Sequence, residues 1–184
     1  MNEENDDYHS YDALFIDRDG VINRRIPDGY VTSPAEFEFM PGVLDALKIL
    51  TKKFKRIFIV TNQQGIGKGL MSENDLERVH DFMLEKFEDE GIKIDKIYYC
   101  PSRKEENSPR RKPEIGMALE AKEDFPEISL ENSVMVGDTT SDMIFGKNAG
   151  MKTILAVPDN YSDENDKYVD EVHNGLYSFA LEIE

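Results

Sequence analysis

Five short runs of apolar, β-branched and aromatic residues recur along this 184-residue chain, and a helical pattern separates most of them from the next. They are "ALFID" (13–17), "RIFIVTN" (56–62), "KIYYC" (96–100), "SVMVGD" (133–138) and "KTILAV" (152–157). Their hydrophobicity is continuous rather than alternating, which predicts strands buried on both faces, as in a parallel sheet. Between them, "GVLDALKILTKKF" (42–54) and the stretch from Ser72 to about Glu90 place apolar residues at helical spacing. Ser72 and Asp75 provide a start signal for the second helix, and Gly91 a stop. "PEIGMALEAKEDF" (113–125) opens on a proline suited to a first helical turn, and "TSDMIFGKNAG" (140–150) ends on Gly150. The pattern predicts a doubly wound, mostly parallel α/β sheet. A marginal strand near Val169–Val172 and a closing helix are expected after it. The length suits one domain, assigned to 13–184, after an acidic segment at 1–12.

The net charge of −16 resides largely at the ends. Residues 1–12 carry five acids and no lysine or arginine, and residues 158–184 carry eight acids and one lysine. An overall negative field argues against nucleic acid as a partner. No apolar run is long enough to cross a bilayer, and the polar N-terminus is unlike a secretory signal. One cysteine, Cys100, excludes an internal disulfide framework. A cytoplasmic protein is expected, and a monomer.

In such sheets, ligands bind beyond the carboxyl ends of the strands. Polar chemistry gathers there: Asp17 and Asp19, then Thr61 and Asn62, then a basic loop ending in "RRK" (110–112), then Gly137 and Asp138. A rigidly placed Asp17 can attack phosphorus or ligate a hard cation. Asp19 can protonate a leaving alcohol and later deprotonate water. Gly20 allows close backbone approach, so its N–H is a candidate donor to phosphoryl oxygens. Thr61 offers a hydroxyl donor, and Lys112 a compact charge against both a nucleophilic carboxylate and a phosphoryl group. Asp138 together with Asp17 would hold an octahedral Mg²⁺. Asp142 is expected either to cap the next helix or to orient a metal-bound water.

"DRDG", "TNQ", "RRKP" and "VGDTTSD", in this order at successive strand ends, resemble the four motifs of the haloacid dehalogenase (HAD) superfamily. The resemblance covers about residues 13–157. Within the superfamily, "FIDRDGVIN", "GYV", "TNQQGIGKG", "IYYCP" and "RKPEIGM" look like the branch that includes heptose bisphosphate phosphatases and histidinol-phosphate phosphatase domains. The resemblance implies a Rossmann-like core and an Mg²⁺-dependent phosphomonoesterase. Asp17 would be nucleophile and metal ligand, Asp19 acid/base and ligand through its carbonyl, and Asp138 a further ligand. Thr61, Asn62, Lys112 and Arg111 would contact phosphate or substrate. A small sugar phosphate such as D-glycero-D-manno-heptose 1,7-bisphosphate is the first expectation, and histidinol phosphate the second.

Members of this branch typically carry a zinc loop before the RKP motif. Here the interval "CPSRKEENSPRRKP" has one cysteine and no histidine, too few ligands for a structural site, so no zinc is expected. Its Arg103, Lys104, Arg110 and Arg111 could meet a second phosphate. Thr139 occupies a position where heptose-phosphate enzymes often have lysine. The insert at 24–42 is too short for a cap domain, which predicts an open site. Signalling receiver domains combine similar residues, but they carry the phosphorylated aspartate on a middle strand, where this chain has none. A silent phosphate-binding protein of the same fold is the remaining alternative, although no expected catalytic position is missing.

Overall fold

The computed structural model describes residues 11–157 and 166–183. It contains one six-stranded sheet in which every neighbouring pair is parallel. The strands are β1 (Tyr11–Ile16), β2 (Phe54–Asn62), β3 (Lys96–Cys100), β4 (Ser133–Gly137), β5 (Lys152–Ala156) and β6 (Glu171–His173), in the order β3-β2-β1-β4-β5-β6. The helices are α1 (Val43–Leu50), α2 (Gln64–Gly67), α3 (Glu73–Asp89), α4 (Gly116–Asp124), α5 (Thr140–Asn148) and α6 (Gly175–Ile183).

β1 occupies the middle of the sheet, and alternate residues serve its two faces. Leu14 and Ile16 join a core with Leu47, Leu50, Val79, Met83, Phe87 and Phe179, drawn from α1, α3 and α6. Ala13 and Phe15 join the other core with Met117, Ala118, Ala121 and Phe145, drawn from α4 and α5. Helices therefore cover both faces, and the continuous apolar runs follow from that. Phe58 packs its ring 5.1 Å from Phe15 and 5.0 Å from Phe125. Truncating such a fully buried ring costs about 3–5 kcal/mol.

α3 starts where Ser72 Oγ accepts from the Asp75 N–H and the Asp75 carboxylate accepts from the Ser72 N–H, a reciprocal cap. It ends at Asp89, and two residues on the φ of +70° at Gly91 lets the Ile92 N–H turn back to Phe87 O at 2.8 Å.

Boundaries differ from the expectations in identifiable places. β1 begins at Tyr11, inside the segment assigned to the acidic terminus, because Asp12 is tied down: it pairs with Lys55 at 3.0 Å and accepts from the Ser129 N–H at 3.0 Å. Residues 1–10 lie outside the described residues. α4 starts at Gly116 rather than at Pro113, since the N–H groups of Glu114 and Gly116 close turns onto Arg111 O and Pro109 O. The late strand lies at Glu171–His173, two residues beyond its expected start. Between β1 and α1 there is one 3₁₀ turn, at Pro34–Glu36, and no second sheet. No helix among the described residues is long and apolar enough to cross a membrane.

Candidate active site

All six strands end on one edge, and the chain switches sides of the sheet between β1 and β4. Asp17 follows β1, Thr61 and Asn62 close β2, and Asp138 follows β4. Lys112 arrives from the loop between β3 and α4. A cleft of about 640 Å³ opens along this edge, with Asp17, Asp19, Asn62, Arg111, Lys112 and Asp142 among its lining residues.

Lys112 is the buried centre, 4% exposed. Its Nζ lies 2.9 Å from Asp17 Oδ1, 2.6 Å from Asp142 Oδ1 and 2.7 Å from Val60 O. Asn62, expected to bind phosphate, clamps the Lys112 main chain instead. Its Nδ2 donates to Lys112 O and its Oδ1 accepts from Lys112 N–H, both at 3.1 Å. Asp142 performs the capping role: its Oδ2 accepts from the Thr139 N–H at 3.1 Å and the Thr139 hydroxyl at 2.6 Å, starting α5. Thr139, where lysine was the alternative, is thereby the helix cap.

Burial, reinforced by the Asp142 charge, pushes Asp17 up to about 8 despite Lys112. Burial likewise raises Asp138 to about 6, against the pull of Arg25. Lys112 is itself raised, because Asp142 and Asp17 outweigh its desolvation.

Asp19 has a different environment. Its Oδ1 accepts from Arg18 Nη2 at 2.8 Å and Asn23 Nδ2 at 3.0 Å. Its Oδ2 accepts from Arg18 Nη2 at 3.0 Å and Gln63 Nε2 at 2.7 Å. Burial opposes ionisation here too, but the Arg18 charge and these hydrogen bonds hold the carboxyl below its ordinary value. Gln63 Nε2 also donates to Thr61 Oγ1 at 2.8 Å, joining the buried threonine to Asp19.

Gly20 is required for a reason other than the expected one. Its φ is +100°, and a Cβ there would come within 1.9 Å of Asp138 Oδ2. Its N–H, expected to face phosphoryl oxygens, donates to Asn23 O at 2.7 Å. The "RRK" knot disperses in three directions. Arg110 pairs with Glu120 at 2.6 Å, Arg111 Nη1 donates to Ser102 O at 3.0 Å from the cleft wall, and Lys112 enters the centre. Arg103 turns to Glu106 at 3.1 Å, so of the four basic loop residues only Lys104 and Arg111 line the cleft. Cys100 is fully buried, its thiol donating to Ser108 Oγ at 3.8 Å.

The structure adds residues that the sequence reading missed: Arg18, Asn23, Arg25, Gln63 and His80. Gln63 and Asn23 lie within quoted motifs, and His80 interrupts an apolar stripe of α3 after Leu76. Arg25 carries no local signal. Its Nη2 lies 2.7 Å from Asp19 O, 2.8 and 3.0 Å from the two Asp138 oxygens, and 3.8 Å from Asp17 Oδ2. One cationic nitrogen is thus already drawn to the point where two carboxylates and a carbonyl converge. Hard oxygen donors around a cation-attracting point suit Mg²⁺, and oxygens of Asp17, Asp138 and Asp142 lie within 4.8 Å of one another.

The chain is similar to known proteins in sequence and in fold. A family profile described as HAD-hydrolase-like matches residues 109–177. The D-glycero-alpha-D-manno-heptose-1,7-bisphosphate 7-phosphatase of Campylobacter jejuni is 43% identical over 145 residues, spanning 79% of this chain and 81% of the relative. The D-glycero-beta-D-manno-heptose-1,7-bisphosphate 7-phosphatase of Helicobacter pylori is 39% identical over 149 residues, 80% of this chain and 84% of the relative. The crystal structure of the D,D-heptose 1,7-bisphosphate phosphatase of B. bronchiseptica, complexed with magnesium and phosphate, superposes with a TM-score of 0.81 at 26% identity. It covers 94% of this chain and 97% of that one. The chain therefore belongs to the HAD-like hydrolases, in the family of the heptose 1,7-bisphosphate 7-phosphatases.

Proposed function

We propose that the chain is an Mg²⁺-dependent phosphomonoesterase that removes one phosphate from D-glycero-D-manno-heptose 1,7-bisphosphate through an aspartyl-phosphate intermediate. The observation that carries this reading is the buried Lys112–Asp17 pair, set beside the point where Asp17, Asp138 and the Asp19 carbonyl converge on one cation. Nucleophile, counter-charge and metal ligands then meet at one end of an open cleft.

In the first half-reaction an Asp17 oxygen forms a bond to phosphorus while the bond from phosphorus to the sugar oxygen breaks. Asp19 supplies the proton that the departing alkoxide takes up. In the second, Asp19 takes a proton from water as that water attacks the aspartyl phosphate, releasing inorganic phosphate and restoring Asp17. Lys112 balances charge on Asp17 and on the phosphoryl oxygens. Mg²⁺, when bound, would be held by Asp17, Asp138 and the Asp19 carbonyl, and would supply positive charge against those oxygens. Lys104, Arg111 and Tyr30 line the cleft further out, where a second phosphate and a sugar would lie. Cytoplasmic residence and a monomeric state complete the reading.

The test is phosphate release from both anomers of heptose 1,7-bisphosphate, histidinol phosphate and a panel of sugar monophosphates, with Mg²⁺ or EDTA. Metal-dependent preference for one heptose anomer supports the proposal. Preference for histidinol phosphate would replace the substrate, and metal-independent turnover would overturn the mechanism.

A further inference from the structure

Arg18 lies between the two aspartates of "DRD", yet its side chain is wholly buried, with 0% exposure. A buried guanidinium costs several kcal/mol unless it is paired, and an apolar residue would fill the space more cheaply. Two partners hold its two terminal nitrogens. Nη2 holds both oxygens of Asp19, and Nη1 lies 3.1 Å from Nε2 of His80, on α3 and itself only 8% exposed. The ring of His80 also meets Tyr99 edge-on, with centroids 6.2 Å apart, which limits its rotation. Arg18 donates from both nitrogens, so His80 Nε2 must be the acceptor and the ring must be neutral. Burial and the adjacent Arg18 charge do push this imidazole down, to about 3.

We propose that His80 is a positioning residue for the reaction: it fixes the plane of the Arg18 guanidinium, and Arg18 in turn fixes the Asp19 carboxylate. The chain of contact runs from helix α3, outside the strand-end motifs, to the acid/base. Asn23 and Gln63 hold the same carboxylate from other directions but leave Arg18 Nη1 without an acceptor once His80 is removed. Among the described residues, the Arg18 Nε has no hydrogen-bond partner and His80 is the only acceptor for this guanidinium apart from Asp19. The inference rests on the reading of Asp19 as acid/base.

His80→Leu and His80→Gln test it, the second retaining an acceptor in its side-chain carbonyl. p-Nitrophenyl phosphate releases its alcohol without protonation, so kcat/KM on it needs no acid, whereas hydrolysis of the aspartyl phosphate still needs the base. For His80→Leu the expected result is kcat lowered about tenfold on p-nitrophenyl phosphate, with kcat/KM within about threefold of the parent. Phosphoenzyme should accumulate in quenched samples. On an alkyl phosphate both parameters fall, and His80→Gln recovers most of the loss. Equal loss of kcat and kcat/KM on p-nitrophenyl phosphate, or no loss at all, overturns the proposal. If His80→Leu fails to fold, His80→Gln and His80→Asn are compared with the parent in the same assay, and a split that tracks how well each replaces the acceptor is required. Asp19→Asn is the control. If it does not give the same split at larger size, the acid/base reading of Asp19 is wrong, whatever His80 does.

Discussion

Arg25 places one guanidinium nitrogen 2.8 and 3.0 Å from the two carboxylate oxygens of Asp138, while half of its side chain remains exposed. An arginine reaching in from solvent can swing out again, but while it stays it neutralises the charge that would attract a divalent ion. Replacing it should therefore tighten metal binding. Exposed ion pairs contribute about 0.2–1 kcal/mol, so Arg25→Gln should lower the Mg²⁺ dissociation constant by up to about fivefold in calorimetry. Weaker binding in the variant would mean that Arg25 supports the metal site rather than competing for it.

Lys112 makes a prediction of larger size. Its ammonium is held by Asp17, Asp142 and Val60 O, and the residue is 4% exposed. Lys112→Met should lower kcat/KM by at least about 10²-fold, the loss typical of removing a preorganised charge from a reacting oxyanion. Lys112→Arg should not rescue, because the enclosure is sized for an ammonium and a planar fork would displace Asp142 from its cap. Recovery of more than a tenth of the activity by arginine would contradict this geometry.

Much of this site was legible in the sequence, since strand ends can be located from continuous apolar runs and the acids and Lys112 follow directly. What was not legible depends on where side chains turn. Asn62 and Arg111 are both polar and both line the cleft, yet Asn62 spends its amide on both main-chain groups of Lys112, whereas Arg111 anchors one nitrogen on Ser102 O. Gly20 was expected to offer its N–H to phosphoryl oxygens, but that N–H donates to Asn23 O and the missing Cβ is what makes room for Asp138. Arg25 and His80 are brought to the site by a loop and a helix whose packing no local pattern encodes.

Asp17 and Asp138, raised to about 8 and about 6 from an ordinary 3.8, link the site to stability. Between pH 4 and 8 the metal-free folded state binds more protons at these positions than the unfolded chain does. Their contribution to stability therefore falls as pH rises. In EDTA, the melting temperature of the parent relative to Asp17→Asn should decline from pH 5 to pH 8. Added Mg²⁺ binds the ionised carboxylates and should raise the parent's melting temperature more at pH 8 than at pH 5. Parallel curves for parent and variant would show that Asp17 does not titrate in this window. The same Asp17→Asn protein should be folded and without turnover, since it keeps the shape of the site and loses the nucleophile.

Arg111 bears on substrate choice. It anchors one nitrogen on Ser102 O at 3.0 Å, which leaves the rest of a planar, multi-donor group at the wall of the cleft that Lys104 also lines. Such a group suits the second phosphate of a bisphosphate and has less to bind on p-nitrophenyl phosphate, which carries one phosphate, already assigned to Lys112. Arg111→Ala should thus raise KM for heptose 1,7-bisphosphate by about ten- to a hundredfold, in line with the roughly 1.5–3 kcal/mol of a hydrogen bond to a charged group, with kcat nearly unchanged. Turnover of p-nitrophenyl phosphate should change by less than about threefold in both parameters. If both substrates lose kcat equally, Arg111 acts on the transferred phosphoryl group itself, and the second phosphate must be recognised elsewhere in the cleft.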